Sequence, residues 1–129
     1  MRPFEDVMVE ELAGLVRAGV PLRGVHLTVR ELFVARIERG PLGPREVSEA
    51  VESMVRAACR LVQDLDAPDE LVETVCRATL EAVRGHGGET ARWFPEATSA
   101  AYVVLDELAT GSGGNARWRW IARHLSQWA

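Results

Sequence analysis

The chain has no lysine; all 15 of its basic residues are arginine. A phosphate-cradling P-loop needs a lysine behind a strand and a glycine-rich turn. The two glycine-rich stretches, Gly85-His86-Gly87-Gly88 and Gly111-Ser112-Gly113-Gly114, have neither and read as helix stops or hinges. Arginine favours bidentate contacts to carboxylate or phosphate. Here, however, the arginines fall at ordinary solvent-facing helical positions among acids.

Cysteine is almost as scarce. Two residues, Cys59 and Cys76, do not make a disulfide framework in a chain of 129 residues. Aromatics make up 6% of the chain, so the core must be Val, Leu and Ala with closely packed helices. No apolar run is long enough to span a membrane. The start, Met1-Arg2-Pro3-Phe4-Glu5-Asp6, has acids where a secretory signal would be apolar. The expected location is the cytoplasm.

Charge is also missing where a nucleic-acid binder would carry it. The formal net charge is −4, and the excess of acids lies in residues 41–87, with five Arg against nine acids. A basic face is the footprint of general nucleic-acid binding, and this balance argues against one. Leu27-Thr28-Val29-Arg30-Glu31-Leu32 resembles the opening of a helix-turn-helix. The segment after it leads into a helix that presents Glu46, Glu49 and Glu52 outward, unsuited to facing phosphates.

What the sequence does contain is helical periodicity almost throughout. Phe4, Val7, Met8, Leu12, Leu15 and Val16 share one stripe, ended by Gly19 and Pro21. Residues 24–39 are ambiguous: Val25, Leu27 and Val29 alternate as in a strand. The helical stripe Val25, Val29, Leu32, Phe33 and Ile37 runs on without a turn signal, so a helix is expected. From Pro44, the residues Val47, Val51, Met54, Ala58, Leu61 and Leu65 form a heptad seam, widened by Val55 and Val62. After Pro68 a further helix carries Val72, Val75, Cys76, Thr79, Ala82 and Val83 inward. The next begins near Phe94-Pro95, or near Thr90 with a kink at Pro95. It carries Ala97, Ala101, Val104 and Leu108. Asn115 can cap a last helix.

The expected fold is therefore all-α: one domain over 1–129, a bundle of five or six helices around a central antiparallel hairpin of about 44–65 and 68–86. The very short connection favours antiparallel neighbours. A turn near residues 67–68 sets Val62 against Val72, Val55 against Thr79 and Val51 against Val83. The same register brings Cys59 and Cys76 to one level. Four roles are open to them: buried reduced thiols behaving as small apolar groups, a regulatory disulfide, a metal site or a nucleophile. Zinc spacings and a neighbouring histidine are absent for the last two.

No catalytic motif appears. His26, His86 and His124 lie outside Glu-x-x-His and His-Glu-x-x-His patterns. His86 suits the C-terminal end of a helix dipole. No metal and no cofactor is expected. The unusual element is the C-terminal helix, about 115–128, after the Gly/Ser hinge. It holds Trp118, Trp120 and Trp128 with Arg117, Arg119 and Arg123, and no acid. Trp118, Ile121, Leu125 and Trp128 form one face, with Trp120 opposite. Trp and Arg dominate interface hot spots. Trp118, Trp120, Arg117, Arg119, Ile121, Leu125 and Trp128 are accordingly the candidate interface.

The expected function is a non-enzymatic protein-interaction or scaffolding module acting as a homo-oligomer, a homodimer in the first instance. Three alternatives stand beside it: a helical nucleic-acid-binding regulator, a protein resting on a lipid surface, and a small enzyme or ligand-binding bundle. The last would need His26, His86, Glu10 or Glu11 to converge with a cysteine.

Overall fold

A computed structural model describes residues 3–39, 43–86, 88–111 and 116–128, with the side chains of Glu89, Ser126 and Trp128 outside the description. The described residues form seven α-helices and no strand. These are α1 (Phe4–Arg17), α2 (Leu22–Glu38), α3 (Pro44–Leu65), α4 (Glu70–Gly85), α5 (Gly88–Arg92), α6 (Phe94–Thr110) and α7 (Ala116–His124). A 3-10 turn, Leu125–Trp128, follows. Gly40-Pro41, a glycine-proline pair that reads as a stop for the preceding helix, and the Gly/Ser hinge with its Asn115 cap lie outside the described residues.

Local chemistry sets the boundaries. α1 ends in a Schellman turn: Val20 N–H donates to Leu15 C=O at 3.1 Å and Gly19 N–H to Val16 C=O at 3.1 Å. Gly19 takes φ +72°, where a side chain would be strained. α3 starts at Pro44, whose missing N–H costs nothing there. The Gly43 N–H is taken by the Glu46 carboxylate at 3.1 Å. α3 ends at Asp66 in the left-handed region, φ 55°, which a short polar side chain tolerates. Residues 66–69 then lead directly into α4.

The two starts open to the helix around Pro95 resolve into a break. α5 stops at Arg92, Trp93 leaves the helical conformation, and α6 begins at Phe94. Pro95 has no N–H for residue 91, and its ring crowds that carbonyl. This break is one reason the helix count exceeds the expected five or six.

α3 and α4 pack on each other and form the interior, each also covered by a further helix. α1 lies on α3, α2 on α4, α6 across both, and α7 on α6. The expected inward residues of α4 are all buried, and so are Leu71, Ala78 and Leu80, because α4 is enclosed from several sides. On α3, Val47, Val51, Met54, Ala58 and Leu61 are buried, whereas Leu65 emerges at the C-terminal end at 36% exposure. Among the described residues, Thr79 is the one buried polar side chain. Its hydroxyl donates to the Val75 carbonyl at 2.7 Å.

Ion pairs fasten the layers. Arg60 of α3 reaches Glu5 at 3.0 Å and Asp6 at 3.2 Å on α1. The bonds to these two carboxylates raise the guanidinium pKa. Arg56 pairs with Glu107 of α6 at 3.2 Å, although Glu52 stands four residues back on α3 at the spacing that favours an ion pair within one helix. Solvent screens such exposed pairs, and they contribute little to stability. They set the register of helices more than they stabilise the bundle.

Candidate interaction surface

α7 divides its residues sharply. Trp118, Ile121 and Ala122 are spaced so that, at 100° per residue, they share one side, and Leu125 of the 3-10 turn that follows is buried with them. That side is buried: Trp118 is 1% exposed, Ile121 0% and Leu125 1%. Three members of the interface expected from the sequence are therefore interior anchors of the chain. The Trp128 side chain lies outside the described residues.

Trp120 faces the other way at 45% exposure. Its ring stacks on His124, with centroids 4.1 Å apart and planes at 24°. His124 Nδ1–H donates to the Trp120 carbonyl at 2.7 Å, one helical turn back. The Arg117 guanidinium carbon stands 5.2 Å from the Trp120 ring centre. Arg117 also reaches Glu73 of α4 at 3.6 Å, and Glu73 meets Arg77 at 3.5 Å. The exposed tryptophan is thus braced by a cation and an imidazole of its own helix. Arg119 and Arg123 are exposed on the same helix.

α6, against which α7 packs, adds two residues that helical periodicity does not single out. Tyr102 is 46% exposed and Val103 52%. They sit in the continuous apolar run Ala100–Leu105, where only their position off the Ala97–Ala101–Val104 stripe distinguishes them. Two open depressions flank Val103. One, of about 350 Å³, is bounded by Ser48 and Glu52 of α3 and by Glu96 and Ser99 of α6. The other, of about 470 Å³, is bounded by Ser99 and Tyr102 and by Ala122 and Arg123 of α7.

The candidate chemical residues do not converge. His26 Nε2 is 2.8 Å from Glu81 on α4, an ion-pair distance without hydrogen-bond alignment. His86 caps the C-terminal end of α4, its N–H donating to Ala82 C=O at 3.1 Å. Glu10 and Glu11 are exposed on α1. Among the described residues, no group of three or more His, Cys, Asp or Glu side chains is gathered to hold a metal ion.

Cys59 and Cys76 are both buried and free. Burial pushes the Cys59 thiol up to about 12, offset only in part by the nearby Arg56 charge. Cys76 is raised well above its ordinary value by burial, then by the charges of Cys59 and Glu73. Each thiol is therefore held neutral, and no histidine acts on either. Attack requires thiolate and access. Both thiols are expected to resist an aromatic disulfide reagent at neutral pH and to react together in denaturant. Rapid labelling of one thiol in the native protein would contradict the buried, neutral state.

No helix among the described residues is long and apolar enough to cross a membrane. The protein is an all-α helical bundle. No protein-family model, curated protein or solved structure matches the chain.

Proposed function

We propose that this chain is a small non-enzymatic protein-interaction module, acting in the cytoplasm as a homo-oligomer, with a homodimer as the basic unit. The observation that carries this reading is where apolar surface remains. Of the six large hydrophobic residues exposed among the described residues, Tyr102, Val103 and Trp120 belong to the packed pair α6–α7. A tyrosine, a braced tryptophan and the exposed Arg119 and Arg123 on one packed pair of helices have the composition of an interface core and rim.

The lipid-surface reading needs an apolar face on the C-terminal helix to enter a bilayer. α7 directs Trp118 and Ile121, and the 3-10 turn after it Leu125, into their own bundle. The enzyme reading needs a convergent set of reactive groups, and the neutral, enclosed thiols supply none.

Native mass spectrometry of the purified chain, beside its denatured mass, tests the proposal. A clean dimer mass is expected. A monomer at every accessible concentration overturns the homo-oligomer. Extra mass that survives gentle conditions and disappears on denaturation replaces the interaction reading with a ligand-binding one.

A further inference from the structure

The exposed ridge of α6 has acidic and basic edges, and those edges are self-complementary. Ser99 and Val103 border both depressions and form the ridge. On the α3 side lie Glu52 and Glu96. On the α7 side lies Arg123, with Arg119 one helical turn before it on the same side of the helix. Among the described residues, none of these four charges has an ion-pair partner within the chain. Elsewhere on the bundle some charges are met by a carboxylate, as Arg56, Arg60, Arg117 and His26 are, and others, such as Arg17, Arg23 and Glu31, have no ion-pair partner among the described residues. What sets these four apart is their position: they flank the most exposed apolar side chain of α6, acids on one side and arginines on the other.

We infer that this face receives a second copy of the chain, through a two-fold axis running along the α6 ridge. The inference rests on the homo-oligomer reading and specifies its surface. A half-turn about a line along α6 exchanges the two edges. It sets Glu52 and Glu96 of one copy opposite Arg119 and Arg123 of the other, twice over. Val103 meets its counterpart at the centre, Tyr102 on the α7 side comes to lie against the α3 side of the other copy, and the small Ser99 lets the two ridges approach. A two-fold axis across α6 instead would set acid against acid and arginine against arginine. Charge therefore selects the orientation as well as the partner.

The test uses the full chain in three variants followed by analytical ultracentrifugation, with circular dichroism as a check on folding. Val103→Glu places a charge at the centre; position 103 is exposed and helical, and glutamate is a good helix former, so the helix signal is expected to persist. Its dimer dissociation constant is expected to rise by about tenfold or more. The pair R119E/R123E has two acidic edges, and the pair E52R/E96R two basic ones. Each is expected to be monomeric alone, and an equimolar mixture is expected to dimerise, because both edge contacts become opposite in sign.

A wild-type dimer, a monomeric V103E and a mixture that dimerises establish the face and its axis. A wild-type dimer that V103E leaves intact overturns this face and spares the homo-oligomer. Charge variants that dimerise alone, or a mixture that stays monomeric, overturn the axis. A wild-type protein that remains monomeric overturns both the face and the homo-oligomer.

Discussion

Trp118→Ala is expected to destabilise the protein by about 3–5 kcal/mol, the usual cost of truncating a large buried aromatic. That is a substantial share of the ~5–15 kcal/mol typical of a whole domain. Among the described residues Trp118 is the largest fully buried side chain, and it anchors a helix of nine residues. A helix that short has little stability of its own in water, so it persists only while docked. Its anchors are Trp118, Ile121 and Ala122, with Leu125 of the 3-10 turn that follows. Removing the largest of them exposes the α6 surface beneath and frees the C-terminal segment. Two measurements report this. The urea midpoint should fall, and trypsin should cut after Arg117, Arg119 and Arg123 under native conditions. A change below about 1 kcal/mol with no native cleavage would show that α7 is held by other contacts. Trp118→Phe should cost clearly less. An aromatic ring is kept, and the Trp118 Nε1–H finds no hydrogen-bond partner among the described residues, so its loss removes no bond. Trp120→Ala should leave stability within about 0.5 kcal/mol of wild type, as for most exposed positions.

The contrast between Trp118 and Trp120 is legible in the amino-acid order alone, because a period of 3.6 places them on opposite sides of one helix. The same period, with proline and glycine as punctuation, locates the helices themselves. Pro44, Gly19 and Pro95 fall where α3 begins, α1 has just ended and α6 is starting. The period does not say which helix covers which. α4 reads as amphipathic from Val72, Val75, Thr79 and Val83, yet Leu71, Ala78 and Leu80 are buried too, because α2, α3 and α6 all pack on it. Arg56 shows the same limit: sequence offers Glu52 four residues away, and the fold supplies Glu107 from α6. Tyr102 and Val103 are hidden for a third reason. Within Ala100–Leu105 every residue is apolar, so exposure there depends on what α3 and α7 leave uncovered.

Alkaline pH is expected to destabilise the native protein through its two thiols. In the unfolded chain a cysteine ionises near its ordinary 9.0, whereas Cys59 in the fold is pushed up to about 12 by burial. Cys76 shifts in the same direction for the same first reason, with the Cys59 charge adding to it. The folded state therefore holds its protons after the unfolded state has released them. The stability this represents is fully present below pH 9.0 and is lost as pH rises toward about 12. Each thiol should contribute a slope of about 1.4 kcal/mol per pH unit, so Cys59 alone accounts for about 4 kcal/mol over the whole window. The check is a set of urea unfolding curves between about pH 8 and 10.5, with a non-thiol reductant present, for wild type and C59A/C76A. Every other contribution to the alkaline pH dependence is common to both proteins and cancels in the difference. Alanine avoids the unpaired hydroxyl that serine would bury, and its packing cost is the same at every pH. The wild-type curve should fall more steeply than the variant's above pH 9. Parallel curves would mean that the thiols reach water in the native state, and the enclosure of α3 and α4 by their neighbours would then be looser than their burial implies.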